Sequence, residues 1–398
     1  NSAGAIYNEG EIGQIGHPEP AVTFLGNAAE NGNGGAINNA SSGTIREIHA
    51  VFTGNKAKSG GGAINNSGEI TVISGSFEEN EIISESGLGG AISNTGKIGT
   101  INSNFIKNGV DIGGTGASYM KTGRGGAIHN ESMGSIVSIN GSFVENEASS
   151  SGGAIQNNGF IGTITGEFSN NKVTNGSNSA VSDGGALTNL GEITSIVNTT
   201  FTSNISGKYG GAIDSSGTIG EISGNVFANN ATGWEGGAIA NERGAISKVS
   251  GNVFRQNHSE DYGGAVSNYK GTVGDMSDNL FVGNAAGIVG GAIFNDGILA
   301  DVSDTRFIGN SAGQEGGAIY NQDTVTFSGE NTFSGNTAAG KPNDITNEGT
   351  LNFGAAGQEH KKPTIGSGID GNGEMNLNSG ILEIAENRTV EQGTAVFA

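Results

Sequence analysis

Residues Gly61–Asn80 read GGAINNSGEITVISGSFEEN, and this stretch contains every element of a repeat that runs through most of the chain. Gly-Gly-Ala-Ile opens it, Gly-x-Ile-x-x-Ile follows at 68–73, and Phe-x-x-Asn closes it at 77–80. The motifs are short, rich in β-branched residues and joined by Gly and Asn, which is typical of strands separated by tight turns. Each repeat is therefore predicted to hold three short extended segments.

The first and last motifs recur in strict alternation, twelve times each, and Ala3 replaces the first glycine in copy one. The fourth residues of the first motif are Ile6, Ile37, Ile64, Ile92, Ile128, Ile155, Leu187, Ile213, Ile239, Val266, Ile293 and Ile319. The phenylalanines are Phe24, Phe52, Phe77, Phe105, Phe143, Phe168, Phe201, Phe227, Phe254, Phe281, Phe307 and Phe333. A fixed period of this length indicates a repeat architecture in which each unit buries its apolar face against its neighbours.

Three strands per repeat, without a 3.6-residue or heptad period, predict an all-β fold: a right-handed parallel β-helix, or three-sided β-solenoid. An α-solenoid is disfavoured because each glycine in a helix would cost about 1 kcal/mol. We expect twelve coils over residues 1–340, with four inward columns of Ile, Ile, Ile and Phe. Residues 341–398 are predicted to continue the coils or to cap them, because an uncovered end would expose a strand edge.

The asparagine two residues after the conserved Ile is predicted to form a ladder of side-chain amides from coil to coil. It is present in every copy except the eighth, where Ser215 replaces it. The asparagine of Phe-x-x-Asn is expected to do the same. These residues therefore have a structural role rather than a catalytic one.

Composition excludes several classes of protein. The chain has 74 glycines but only 4 prolines and no Gly-X-Y period, which excludes collagen. A formal charge of −21 repels phosphate, so nucleic acid is not an expected partner. No cysteine is present, and no cofactor is predicted. The first residues already lie within a repeat, so we expect the sequence to be a fragment of a longer secreted protein.

Gly-Gly-Ala-[Ile/Leu/Val] paired with Phe-x-x-Asn resembles the repeats of the chlamydial polymorphic outer membrane proteins, over about residues 3–336. That resemblance implies an autotransporter passenger, secreted through its own C-terminal outer-membrane β-barrel outside this sequence and then displayed on the cell surface or released. It implies an adhesin whose partners are proteins or glycans of host or bacterial cells, with self-association as a further expectation. It supplies no catalytic residue.

A β-helical polysaccharide lyase or hydrolase and a purely structural stalk are the alternatives. An enzyme would use Asp275, Asp278, Asp301 and Asp304, which recur in adjacent repeats and are expected to pair vertically. Such a cluster can raise the pKa of one of its carboxyl groups for acid-base catalysis, or it can bind a cation such as calcium. Since the chain is acidic throughout, the simpler interpretation is a solvated acidic face, and the protein is predicted not to be an enzyme.

Candidate binding residues lie at the corner that precedes Gly-Gly. Tyr209, Trp234 and Tyr262 are expected to stack there in three successive coils and to bind a sugar or a protein. The residue after the conserved Ile is expected to form an outward face, which is too varied for an ice-binding array.

The same corner carries three insertions, at Glu81–Leu88, Gly109–Arg124 and Lys172–Asp183, in place of the usual five residues. Long loops on a rigid scaffold are common recognition sites. The second loop carries Tyr119, Lys121 and Arg124, an apolar and basic patch on an acidic protein, and is the favoured contact segment.

Overall fold

The computed structural model describes residues 3–19, 21–84, 86–110, 122–174, 183–354, 364–378, 382–384 and 390–397. All regular secondary structure in these ranges is β, and they contain no helix long and apolar enough to cross a membrane. Two compact units, Asn1–Gly207 and Lys208–Ala398, divide the chain. Within each unit, equivalent strands of successive repeats pair in parallel and in register, which confirms the predicted parallel β-solenoid.

Each coil of the first unit contains a three-residue strand, a long strand and a two-residue strand. The three-residue strands are Ile6–Asn8, Ile37–Asn39, Ile64–Asn66, Ile92–Asn94, Ile128–Asn130, Ile155–Asn157 and Leu187–Asn189. The long strands are Thr44–Thr53, Glu69–Glu78, Lys97–Ile106, Ser135–Val144, Phe160–Ser169 and Glu192–Thr202, with Glu11–Gly16 and Val22–Leu25 in the first coil. The two-residue strands are Ala28–Ala29, Lys56–Ala57, Glu81–Ile82, Gly109–Val110, Glu147–Ala148, Lys172–Val173 and Ile205–Ser206.

The second unit repeats this order, but its strands break at different places, and two of them join the first and second segments of the coil, Val266–Ser277 and Ile293–Ser303. Those that begin at the conserved apolar position are Ile213–Ser215, Ile239–Glu242, Val266–Ser277, Ile293–Ser303, Ile319–Asn321, Ile345–Asn347 and Ile369–Asp370. Those that follow are Thr218–Ser223, Ala245–Ser250, Thr324–Ser328, Thr350–Phe353, Glu374–Leu377 and Thr394–Phe397. The phenylalanine strands and their equivalents are Val226–Ala228, Val253–Arg255, Leu280–Val282, Arg306–Ile308, Thr332–Ser334, Thr364–Ile365 and Glu383–Ile384. The two-residue strands are Ala231–Thr232, His258–Ser259, Ala285–Ala286, Ser311–Ala312, Thr337–Ala338 and Lys341–Pro342, the last antiparallel.

The prediction of three separate segments is wrong for most of the first unit, where the second and third segments form one strand. The reason is residue spacing. Phe105 lies four positions after Ile101. Because side chains alternate between the two faces of a strand, an even spacing lets both side chains point inward along one strand. Five positions separate Ile222 from Phe227, and the strand breaks between them. Ile196 and Phe201 are also five positions apart, but there the strand Glu192–Thr202 stays continuous through a bulge at Asn198, whose backbone is left-handed with φ of 50°.

A third ladder, which the sequence analysis did not identify, occupies this turn in the second unit. The Asn225 side chain donates to Asn252 Oδ1 at 3.0 Å, and Asn252 donates to Asn279 Oδ1 at 3.0 Å. The residue before each asparagine has a left-handed backbone, for example Gly224 with φ of 65° and Asp278 with φ of 56°. Such a conformation favours Gly, Asn and Asp.

Both predicted ladders are present within each unit. In the first unit, each Nδ2 of the Ile-x-Asn column donates to the Oδ1 of the next asparagine at 2.8–2.9 Å, from Asn8 through Asn189. The second-unit column runs from Asn241 to Asn347 with 2.8 Å contacts. Because every amide points toward the next coil, each ladder has a donor end and an acceptor end.

The acceptor that completes a ladder is a side chain of a different type. Asn336 is the last member of the second-unit Phe-x-x-Asn ladder, and its Nδ2 donates to Asp344 Oδ1 at 2.7 Å. Asp344 is fully buried, and its other oxygen accepts from the Ser367 backbone N–H at 2.5 Å. Burial is the main cause of the raised pKa of this carboxyl group.

Phenylalanine rings fill the core beside the isoleucine columns. In the first unit, six successive ring pairs from Phe24 to Phe201 stack with centroids 4.5–5.0 Å apart and planes within 14° of parallel. Second-unit rings from Phe227 to Phe333 do the same at 4.6–5.0 Å. The coil spacing of a parallel sheet imposes this distance.

Candidate functional site

The corner before Gly-Gly stacks from coil to coil in the first unit. Single parallel bridges join Gly60 to Leu88, Leu88 to Arg124, Arg124 to Ser151, and Ser151 to Asp183. Leu88, Arg124 and Asp183 are the last residues of the three insertions. The insertions therefore end in one column, as predicted. Tyr119 and Lys121 of the second insertion lie outside the described residues.

The residue after the conserved Ile is buried, which corrects the expectation of an outward face. In the first coil Tyr7 is 49% exposed, whereas the later members of this column in the first unit are each at most 9% exposed: Asn38, Asn65, Ser93, His129, Gln156 and Thr188. The corner segment folds over it. The Thr188 hydroxyl accepts from Gly152 N–H at 3.0 Å and donates to the Asp183 carbonyl at 2.8 Å. A polar layer thus lies between the variable corner and the core.

His129 is the member of this layer nearest the second insertion. Its Nδ1 lies 3.3 Å from Glu131 Oε1, while the imidazole is 1% exposed. The contact with His129 is the main cause of the lowered pKa of Glu131, and Arg124 adds to it. Arg124 is half-buried, so its charge partly serves the fold and is only partly available to a ligand.

Tyr209, Trp234 and Tyr262 do not form one stack. Glu235, not Trp234, stands in register between the two tyrosines, because Trp234 lies one residue earlier relative to Gly-Gly. The Trp234 ring packs edge-on against Tyr209 at 5.8 Å, and Lys208 Nζ lies 5.2 Å from its centroid. With 43% of its surface exposed, Trp234 remains available to a partner.

Tyr262 belongs to a second aromatic cluster that the sequence analysis missed. Its ring stacks on Phe294 at 5.1 Å, and Phe294 stacks on Tyr320 at 6.1 Å. Phe294 and Tyr320 follow the conserved Ile in adjacent coils and are at most 9% exposed. Two aromatic residues at that position were the signal available in the sequence. Tyr262 here covers a corner, which leaves Trp234 as the exposed ring of the predicted three.

The four aspartates lie in adjacent coils as predicted, with Asp275 directly opposite Asp301. Asp301 Oδ2 accepts from the Ser328 hydroxyl at 2.8 Å, and Asp304 Oδ1 accepts from the Glu330 N–H at 2.9 Å. Burial is the largest cause of the raised pKa of Asp301, with the charges of Asp275 and Asp304 adding to it.

Asp278 and Asp304 have left-handed backbones at the second-unit turn, with φ of 56° and 47°. The turn alone therefore explains an aspartate at both positions. In the described ranges, no group of three or more His, Asp or Glu side chains is arranged to hold a metal ion. The acidic column remains a candidate site only through the raised pKa of Asp301.

Comparison with known families gives one match. Residues 49–67, 198–216 and 304–322 match the model of the Chlamydia polymorphic membrane protein repeat. Each segment spans a Phe-x-x-Asn and the Gly-Gly-Ala-Ile that follows it. No curated protein and no solved structure matches the chain. The chain thus carries polymorphic membrane protein-type repeats and is similar to a family of surface proteins.

Proposed function

We propose that the chain is the passenger of a bacterial autotransporter, displayed on the cell surface or secreted, and that it acts as an adhesin for host or neighbouring cells. The observation that carries the proposal is a contrast within the coil. Columns of Ile, Phe and Asn are nearly invariant, whereas the corner before Gly-Gly varies in length and chemistry. A rigid scaffold with one variable edge is the usual arrangement of a recognition surface.

The repeat matches support the same proposal, since three segments of the chain are similar to the repeat of the Chlamydia polymorphic membrane proteins. The buried ladders provide rigidity without disulfides. Exposed Trp234 with its neighbour Lys208, and Arg124 at the second insertion, are the described residues best placed to contact a partner. Tyr119 and Lys121 are proposed contacts on sequence grounds alone.

Adhesion can be measured with beads coated with the purified chain on epithelial cells and on bacterial cells. Saturable attachment that free chain competes away is expected. Beads coated with heat-unfolded chain serve as the control. If native and unfolded chains attach equally, or neither attaches, the adhesin proposal fails and a structural stalk becomes the better description.

A carbohydrate-active enzyme is the second candidate, favoured only by the raised pKa of Asp301 beside Asp275. Its test is release of reducing ends from polygalacturonate and other glycans. An enzyme would show turnover that Asp301→Asn abolishes, whereas the exposed change Glu374→Gln would leave it intact. Absence of turnover with every glycan would remove this candidate.

A further inference from the structure

A shallow groove follows the long strands of the first unit at the point where each strand bends from the isoleucine face to the phenylalanine face. Its lining residues are Gly75, Asn102, Ser103, Asn104, Asn140, Gly141, Ser142, Gly166 and Glu167. They come from four successive coils and occupy equivalent positions in them. The groove therefore crosses the strands, with amide and hydroxyl groups from the coils of Asn102 and Asn140 and a carboxylate from that of Glu167.

Small residues form the floor of the groove because the bend leaves no room for larger ones. Gly75 and Gly166 have φ of 122° and 125°, which side chains rarely allow. A Cβ at Gly75 would lie 1.9 Å from the Ala50 carbonyl oxygen, and one at Gly166 equally close to the Gly141 oxygen. The floor is consequently at backbone level, below the side chains on both sides.

Amides and hydroxyls form the walls. Asn102 and Asn140 stand on one side of the floor, and Asn104, Ser142 and Glu167 stand on the other. Asn140 Oδ1 accepts from the Thr165 hydroxyl at 3.2 Å. Within the described part of the chain, the side chains of Asn102, Asn104 and Ser142 make no hydrogen bond, and both asparagines are exposed.

The asparagines of the groove differ from those of the buried ladders. Buried asparagines such as Asn108 and Asn146 bond to the neighbouring coil, so their amides serve the fold. In the groove, Asn102 and Asn104 make no hydrogen bond to the described part of the chain, and Asn102 lies in register with Asn140, whose Oδ1 accepts from the Thr165 hydroxyl. Two neighbouring coils, about 4.8 Å apart, thus present exposed amides to the groove.

We propose that this groove binds a linear, uncharged polysaccharide along the coil axis. The inference rests on the adhesin function proposed above and names its ligand class. Hydroxyl groups of sugars can exchange hydrogen bonds with amides and serine hydroxyls, and a linear polymer presents such groups at regular intervals along its length. Acidic glycans are disfavoured, because Glu167 lies in the wall and the whole chain carries a charge of −21.

An extended peptide fits the same surface less well. Peptides bind to sheets chiefly by adding a strand to an open edge. At the groove, the strands on either side are already paired, since Lys97–Ile106 lies between Glu69–Glu78 and Ser135–Val144. Side chains and not backbone groups must therefore supply the contacts.

The groove has no aromatic ring in its lining, so each sugar unit gains only hydrogen bonds made in competition with water. Affinity for one unit should be weak. Because the polar groups of the groove come from three successive coils, a longer chain engages several at once, and affinity should rise steeply with ligand length.

Calorimetric titration with neutral cello-, manno- and xylo-oligosaccharides, from disaccharides to octasaccharides, tests this prediction on the full chain. The variants are the double change Asn102→Ala with Asn104→Ala, and Ser142→Trp, which fills the groove. Thr71→Trp adds the same bulk at an exposed position outside it. We expect at least one series to bind more tightly with length, both groove variants to lose on the order of tenfold in affinity, and Thr71→Trp to match the parent.

Unchanged affinity in folded groove variants, or no binding by any series, would overturn the inference. Circular dichroism and melting curves establish folding, and the alanine pair keeps the test valid if Ser142→Trp does not fold. The same proteins are used in the bead adhesion assay. Adhesion without oligosaccharide binding would reject the groove as a sugar site and leave the adhesin proposal standing. Oligosaccharide binding without adhesion would reject the adhesin proposal and leave the groove as a sugar site.

Discussion

Ser267 donates a 2.9 Å hydrogen bond to Glu235 Oε2, a carboxyl group held between two coils at the corner of the second unit. Burial is the main cause of the raised pKa of Glu235, and the charges of Asp261 and Asp296 add to it, while the Ser267 bond opposes it. The ionised form is therefore less favourable in the folded protein than in the unfolded chain.

We predict that Glu235→Gln raises the melting temperature at neutral pH by a few degrees. Glutamine keeps an oxygen that can accept from Ser267 but carries no charge to desolvate. The folded-state pKa is raised, so the parent gains stability as pH falls through that value and loses it as pH rises. The difference between variant and parent should accordingly shrink toward pH 4. Thermal unfolding followed by circular dichroism from pH 4 to 8 measures it, with exposed Glu374→Gln as the control. A variant less stable than the parent at pH 7 would contradict the prediction.

A single substitution should extend a ladder in the second unit. Asn241 Oδ1 is buried and, among the described residues, accepts no hydrogen bond, because Ser215 occupies the ladder position in the preceding coil. We predict that Ser215→Asn supplies the missing donor and stabilises the protein by about 1 kcal/mol. Urea unfolding measures the change, and Ser215→Ala is the matched control that cannot donate. Equal or lower stability of the asparagine variant would show that the coil cannot accept the larger side chain.

The phenylalanine column should be the most sensitive part of the core. Phe105 is fully buried and stacks on Phe77 and Phe143 at 4.8 and 4.7 Å. We predict that Phe105→Ala costs about 3–5 kcal/mol through a cavity that neighbouring coils cannot close. Phe160→Ala removes the same side chain from a position that is 37% exposed, and it should cost much less. Urea midpoints compare the two, and similar losses would argue against a shared core column.

The corner insertions should be dispensable for folding and required for adhesion. Their last residues stack in one column, so each can be replaced by a regular five-residue turn without changing the register of the coils. We predict that the three shortened variants keep the parent melting temperature and that at least one loses several-fold in cell attachment. Trp234→Ala tests the second unit in the same assay. Full attachment by all four variants would place recognition elsewhere on the protein.

Much of the fold could be predicted from the sequence, because the inward columns repeat at fixed positions. Ile98, Ile101, Phe105 and Asn108 each recur in every coil of the first unit, and a parallel solenoid is the structure that stacks them. The break in the second-unit strands was not predicted, although the spacing between the second Ile and the Phe of each coil bears on it. A spacing of four positions keeps the strand continuous, whereas a spacing of five requires either a bulge, as in Glu192–Thr202, or a break, as after Ser223, and the motifs alone do not show which.

The candidate site was harder to predict, because its contacts join residues that no period relates. His129 is buried beside Glu131, and this environment could not be read from the repeat because the corner before Gly-Gly differs in length from coil to coil. Trp234 was assigned to a stack that a one-residue offset prevents. The groove amides were overlooked because Asn102 and Asn104 belong to no motif, and only the bend of the strand places them on either side of one floor.

The dependence of coil shape on a single residue has an evolutionary consequence. A gene built from such repeats can lengthen or shorten by unequal crossing-over, and an exchanged coil brings its own donors, acceptors and core side chains. Exchange between two coils in which four positions separate the second Ile from the Phe preserves the continuous strand, as between those containing Phe77 and Phe143. Exchange with a coil in which this spacing is five positions, such as that of Phe254, places a continuous strand beside a broken one. Recombination should thus be tolerated within each class of coil and selected against between classes.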